Sequence, residues 1–280
     1  MRRRVRELEI VTSRLIRAGF AGQYHAAFHG RGIEFAQVRE YQPGDDVRVI
    51  DWNVTARTGV PHVKQFVEER DLTVILAIDL SGSMGFGSID RRKADLAAEL
   101  TSVLSYAATQ NDDRVGLLTF DSSVRSWIQP RRGRRHVETV VRRVLLDSEK
   151  PAQRADFDRM SAFVSAVVIK RAVILVLSDF FDRSAITPLS RLRVKHDVIA
   201  LVLGDPREQR LPDHGLIDLL DSESGQMKRV DLSAARARLH AQSALAQLER
   251  KGIDAVSLST AEPYERSLIR FFDLRTRRRR

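Results

Sequence analysis

Residues 72–84 read LTVILAIDLSGSM, and their reading decides how the rest of the chain is understood. The first eight are an almost unbroken apolar run, without the polar alternation of a half-buried strand. Such a run marks a strand covered on both faces, as in a parallel sheet. It stops on an acid, Asp79, and Ser81, Gly82 and Ser83 follow at once. A carboxylate and two hydroxyls therefore crowd the end of a buried strand.

The same pattern recurs downstream. AVILVLSD (172–179) and DVIALVLG (197–204) are two further buried strands, the first ending in Ser178 and Asp179. RVGLLTF (114–120) and VRSWI (124–128) read as shorter strands, the second at a sheet edge. Between the strands, apolar residues fall at helical spacing: Leu96, Leu100, Val103, Leu104 and Ala107; then Val137, Val140, Val141, Val144 and Leu145; then Met160, Phe163, Val164, Val167 and Val168. Residues 216–231 predict a small hairpin around SESG, followed by an Ala/Leu helix from Ser233 and a last strand, DAVSLS (254–259). Pro263 opens a final helix carrying Leu268, Ile269 and Phe272. Strands alternating with helices predict an α/β domain over 71–272, a Rossmann-type, mostly parallel sheet flanked by helices.

Residues 1–70 have another character. Val5, Leu8, Val11 and Leu15 recur at helical spacing and predict an amphipathic helix. Residues 30–71 are crowded with charges, aromatics and turn residues; Pro43-Gly44 marks a turn, and Asp51 caps a short helix to Ala56. No flexible linker precedes the α/β region, so this segment is expected to pack on it as an N-terminal extension. Arg39, Glu40, Asp45, Asp46, Arg48, Asp51 and Arg57, interspersed with Phe35, Tyr41 and Trp52, are expected to form a partly buried ion-pair network that fixes it there.

With 280 residues, 43% hydrophobic and 30% charged, the chain has the composition of a globular protein. It has no cysteine, which excludes disulfides and thiolate metal sites. No stretch approaches the roughly 20 apolar residues of a membrane span, and the start lacks an apolar segment of signal-peptide length, so the cytoplasm is the expected compartment. The net charge is +10, of which Arg275 and Arg277–Arg280 carry five. Residues 273–280 read as a solvated basic tail and PRRGRRH (130–136) as a basic turn. No nucleic-acid-binding module accompanies them, so nucleic acid is not the expected partner. His25 and His29 have no carboxylate or cysteine at ligand spacing and read as loop histidines.

In open α/β sheets functional groups gather beyond the carboxyl ends of the strands. Asp79, Ser81 and Ser83 put three oxygens on one tight loop, and Asp179 brings a second carboxylate from another strand. An all-oxygen set suits a hard cation, Mg2+ or alternatively Mn2+ or Ca2+. The neutral hydroxyls leave the ion electrophilic, ready to accept a carboxylate from a partner, which is a binding mechanism rather than a catalytic one.

DLSGSM resembles the D-x-S-x-S signature of the metal-ion-dependent adhesion site of von Willebrand factor type A domains, and the element order of 72–272 is similar to that fold. More specifically, GRGIEFAQVREYQPGDDVRVIDW (30–52), ARTG (56–59), ERD (69–71) and SDF (178–180) resemble the bacterial family called Domain of Unknown Function 58. The resemblance implies that Asp79, Ser81, Ser83 and Asp179 are the metal ligands. It also implies a partnership with a MoxR-type AAA+ ATPase in protein maturation or assembly. The pattern calls for a threonine where this chain has Ala155, so a direct oxygen ligand is missing and Asp156 is the candidate to replace it. The competing readings are a magnesium-dependent phosphotransferase of the haloacid dehalogenase kind and a basic nucleic-acid binder. The first usually needs a second acid two residues after its nucleophile, where Ser81 stands, and a later lysine for which Lys170 is poorly placed. The expected protein is not an enzyme.

Overall fold

The computed structural model describes residues 2–15, 19–28, 33–68, 72–150, 152–209, 216–220, 227–231 and 240–278. Two helices, α1 (Arg2–Leu15) and α2 (Ala21–Phe28), come first. An antiparallel hairpin of β1 (Ile33–Glu40) and β2 (His62–Glu68) follows, with α3 (Trp52–Thr58) in its connection. The α/β region then runs β3 (Thr73–Asp79), α4 (Lys93–Gln110), β4 (Arg114–Phe120), β5 (Val124–Arg131), α5 (Arg134–Asp147), α6 (Phe157–Val167), β6 (Val173–Ser178), α7 (Ile186–Arg193), β7 (Asp197–Gly204) and α8 (Pro206–Gln209). A second hairpin, β8 (Leu216–Leu220) with β9 (Met227–Asp231), precedes α9 (His240–Arg250), β10 (Asp254–Ser259) and α10 (Tyr264–Arg278).

The apolar runs become the middle of a six-stranded sheet in the order β10-β7-β6-β3-β4-β5. All neighbours are parallel except β4 and β5. Because side chains alternate along a strand, Val74, Leu76 and Ile78 enter one apolar layer with α2, α4, α5 and α10. Ile75 and Ala77 enter the opposite layer with α6, α7 and α9. A continuous apolar run is thus what a two-faced sheet demands. β5 closes one edge, and its Pro130, which has no N–H to offer, stands at that edge. Gly116 lets β3 and β5 flank β4 closely, since a Cβ there would come 2.8 Å from Ile75 Cδ1 and 3.0 Å from Pro130 Cγ.

Counted in chain order, the six strands are laid out 3-2-1-4-5-6, the doubly wound arrangement with its switch point between the first and fourth strands. Here those strands are β3 and β6. Ile78 pairs with Leu177, so Asp79 and Ser178 leave the sheet side by side.

The N-terminal extension divides in two. Helices α1 and α2 pack on the α/β domain as expected. Phe20, Tyr24 and Phe28 meet Phe272 with ring centroids 5.6, 6.4 and 5.3 Å away, and the Tyr24 hydroxyl donates to Asp113 at 3.1 Å. In α1 the buried position next to Val11 goes to Thr12, which bonds Ser102 at 2.9 Å, while Val11 faces outward.

The hairpin of β1, α3 and β2 departs from expectation. Among the described residues its substantial packing is internal, and the described pairing of the expected ion-pair network is local. Arg39 grips Asp45 through two hydrogen bonds of 2.7 Å. Asp46 and Asp51 cap the two short helical turns that follow them, and Trp52 is 69% exposed. Short polar side chains close to turns satisfy local backbone N–H groups first, so these charges shape the arm itself. Phe35 pairs with Phe66 on the hairpin, and its side chain lies outside the described part of the structure.

The C-terminal segment is a second correction. Residues 273–278 continue α10, with Asp273, Leu274, Arg277 and Arg278 exposed and Arg275 the exception. Arg275 is buried, bonded to Asp197 and Asp254 at the starts of β7 and β10, with its guanidinium 5.6 Å from the Phe28 ring. Two carboxylates side by side at the bottom of a sheet need such a cation. The tip of the β8–β9 hairpin, residues 232–239 and His29 lie outside the described residues. No described helix is long and apolar enough to cross a membrane.

Candidate functional site

The site forms at the switch point, where β3 and β6 end. Asp79 is buried and both its oxygens are engaged. Oδ1 accepts the Ser81 N–H at 2.8 Å, and Oδ2 accepts the Ser178 hydroxyl at 2.6 Å. The first bond folds the chain into a tight turn after the strand. Ser81 then caps a 3-10 turn, Gly82–Gly85, which brings the Ser81 and Ser83 hydroxyls 3.2 Å apart. Octahedral Mg2+ holds oxygens at about 2.0–2.1 Å, which places neighbouring ligands about 3.0 Å apart. The two hydroxyls stand close to that spacing before any ion is considered.

On the second strand the chain turns sharply. Ser178 Oγ accepts the Phe180 N–H at 3.0 Å, and Asp179 Oδ1 accepts the Phe181 N–H at 3.2 Å. Phe180 has φ +54°, the left-handed region, which costs an L-residue about 1–2 kcal/mol. Its buried ring stacks on Phe157 at 5.8 Å, and this packing holds the turn that follows Asp179.

Burial pushes the Asp79 carboxyl up to about 7, and the nearby Asp179 charge adds to the rise against the hydrogen bonds from Ser178 and Ser81. Asp79 and Asp179 are thus buried carboxylates at neighbouring strand ends, the second already paired with the Lys93 ammonium at 2.7 Å. A divalent cation held here would take the Ser81 and Ser83 hydroxyls as direct ligands, with the carboxylates acting directly or through water. Among the described residues no group of three or more His, Asp or Glu is placed to hold a metal, so the hydroxyls are indispensable to any such site.

The loop expected to complete the set also reaches the site: Gly82 donates its N–H to Gln153 O at 3.3 Å. Its two key residues do other work. Ala155 packs its methyl into the apolar layer with Phe120 and Phe157. Asp156 caps α6, accepting the Arg159 N–H at 2.9 Å and pairing with the Arg159 guanidinium at 3.2 Å. Asp182 is likewise a cap, accepting from Ser184 N–H. Beside Ser81 a cleft of about 390 Å³ opens between Gly82, Arg92, Ser148, Lys150 and Ala152.

Two further residues take part, Ser178, which the sequence marks only as the end of its strand, and Lys93, which it does not single out. Ser178 ties the two strand ends together, and Lys93, fully buried, donates to Asp179 Oδ2 at 2.7 Å and to Glu208. The signal for Lys93 was its period: it falls on the helical stripe of Leu96, Leu100, Val103, Leu104 and Ala107.

Sheet order, switch-point site and flanking helices together define a von Willebrand factor type A-like α/β domain carrying an N-terminal extension. The family described as "Protein of unknown function DUF58" matches residues 37–251, and the chain belongs to it. An uncharacterized protein of Mycobacterium tuberculosis is 30% identical over 282 residues, covering 98% of this chain and 89% of that protein. Among solved structures, the conserved hypothetical protein BatB from Bacteroides thetaiotaomicron is similar with a TM-score of 0.48 at 12% identity, covering 74% of this chain and 99% of that one. The SpRpn10 VWA domain gives 0.39 at 14% identity, covering 72% and 94%.

Proposed function

We propose that this chain is a non-catalytic docking module in which a divalent cation, Mg2+ or in its place Mn2+ or Ca2+, is held by Ser81, Ser83, Asp79 and Asp179. When bound, the ion supplies an electrophile for a carboxylate oxygen of a protein partner. What supports this reading is the 3.2 Å approach of the Ser81 and Ser83 hydroxyls, together with the Ser178 bond that ties Asp79 to the strand end from which Asp179 follows. The cleft beside Ser81 gives a partner's acidic side chain a way in. Family resemblance names that partner as a MoxR-type AAA+ ATPase, with protein maturation or assembly as the joint task.

Chemistry at Asp79 is disfavoured by its own surroundings. A nucleophilic carboxylate needs an open path to its oxygen, whereas Asp79 is 1% exposed and has both oxygens hydrogen-bonded. The position two residues on, where a phosphotransferase needs an acid, presents the Ser81 hydroxyl.

The test is co-purification of the full chain with a MoxR-type AAA+ ATPase in the presence of Mg2+, repeated with chelator and with Ser81→Ala. Association lost in both supports the reading. Association unchanged in both removes the metal from it, and no association under any condition removes the partnership.

A further inference from the structure

The buried lysine beside the site does more than fill space. Lys93 is the first residue of α4 and is fully buried. Its ammonium donates to Asp179 Oδ2 at 2.7 Å and to Glu208, and sits 4.6 Å from the centre of the Phe181 ring. Glu208 in turn accepts the Asp205 N–H at 2.9 Å. Asp205 accepts from Ser88 N–H and Arg207 N–H, each at 2.9 Å, and from the Thr260 hydroxyl at 2.8 Å. One chain of hydrogen bonds therefore links Asp179 to the ends of β7 and β10 and to the loop before α4.

Burying a charged lysine is costly unless it is paired, and here the pairing is with Asp179, next in the chain to the Ser178 that holds Asp79. A fixed positive charge on Asp179 competes with any second cation for that oxygen and repels it. Glu208 opposes this by drawing off part of the ammonium's charge.

We infer that Lys93 is the resident counter-cation of the site: it sets divalent affinity low in the free protein, so that stable loading requires the extra carboxylate a partner brings. This deepens the docking reading and rests on it. Lys93 is a positioning and tuning residue, with Glu208 as its counterweight. The two make opposite predictions, which a merely structural role does not.

The experiment titrates Mn2+ into the full chain and follows free Mn2+ by its paramagnetic resonance signal, with folding checked by circular dichroism. Lys93→Met keeps length and removes charge; it is expected to bind Mn2+ about tenfold tighter or more. Glu208→Gln leaves the ammonium less neutralised and is expected to bind about fivefold weaker or worse. A folded Lys93→Met with unchanged or weaker binding overturns the inference. If that variant does not fold, Glu208→Gln decides alone, and unchanged or tighter binding overturns it. Ser81→Ala separates the two levels. If it leaves Mn2+ binding unchanged, the metal reading itself fails. If it weakens binding while Lys93→Met does not strengthen it, only the role of Lys93 fails.

Discussion

The Ser178 hydroxyl reaches across from the end of β6 and donates to Asp79 Oδ2 at 2.6 Å, at the end of β3. It also accepts the Phe180 N–H, so one oxygen fixes both the aspartate of the first strand and the turn of the fourth. Ser178→Ala leaves a buried carboxylate oxygen and a buried N–H without their partner. Such loss costs about 1–3 kcal/mol, and denaturant unfolding is expected to show a drop in that range. Mn2+ affinity should fall with it, because Asp79 is no longer oriented. Unchanged stability shows the bond to be incidental.

The raised Asp79 carboxyl fixes the sign of a pH effect. Its ordinary value is about 3.9, and in the fold it stands at about 7. Below the ordinary value folded and unfolded chains are both protonated at this group. As pH rises through the window between, the unfolded chain ionises freely and the folded one resists, so the fold loses stability until about pH 7 and no further. The stability of Asp79→Asn relative to the parent should rise from about pH 4 to about pH 7 and then level off. Saturating Mg2+ should shrink that difference by holding the carboxylate ionised. A difference that does not change with pH contradicts the burial of Asp79 as described.

Much of this arrangement was readable before the structure. The both-faces-buried sheet followed from runs such as 72–79 and 172–179, because a central parallel strand leaves no room for polar alternation. Asp79, Ser81, Ser83 and Asp179 were legible as polar residues ending such runs. What failed to show were partnerships between distant charges. Arg275 in a run of arginines looks like a solvated tail, and only the positions of Asp197 and Asp254 show why it is buried. Trp52 looks like an anchor by composition, yet its helix lies on an arm whose capping and pairing are local. Lys93 was visible in period but hidden by chemistry, since a lysine on an apolar stripe is usually read as the stripe's end.

Arg275 gives the clearest stability prediction. Removing one partner of a buried ion cluster leaves the others uncompensated, at a cost of about 3–5 kcal/mol. Arg275→Ala exposes Asp197 and Asp254 to each other and also strips the cation from the Phe28 ring. The outcome expected is a fall in unfolding free energy of about 3 kcal/mol, with chain truncation after Leu274 doing at least as much. Removal of Arg279 and Arg280 alone should change little. Equal, small effects from all three restore the picture of a free tail.

His196 supplies an effect of the opposite pH sign to Asp79. It is buried between α7 and β7, both ring nitrogens lack a hydrogen-bond partner among the described residues, and burial, reinforced by Lys195, holds it below its ordinary value. A depressed histidine contributes stability that is complete above the unfolded value of about 6.5 and is lost as pH falls through the folded one. Relative to the parent, His196→Leu should gain stability as pH drops below about 6 and also be at least as stable at neutral pH, since two unsatisfied polar atoms disappear. Measuring unfolding free energies of both proteins across that range checks this; a gap that narrows toward acid pH places a partner on the imidazole.

The exposed arm can be tested by light rather than by stability. The chain has two tryptophans; Trp52 is 69% exposed on α3, while Trp127 packs edge-on against Phe163 at 5.7 Å. An indole in water emits at longer wavelength and is quenched more readily by a soluble quencher than one held against another ring. Trp127→Phe, which leaves Trp52 as the reporter, should therefore emit to the red of Trp52→Phe and be quenched more steeply by iodide. Because α3 makes its substantial contacts within the arm, Trp52→Ala should change the unfolding free energy by no more than about 0.5 kcal/mol. If a partner seats on this arm, its addition should shift the Trp52 emission to the blue while the Trp127 signal stays put. A blue, protected Trp52 in the isolated chain instead docks the arm on the sheet domain and returns its charges to the role of fixing it there.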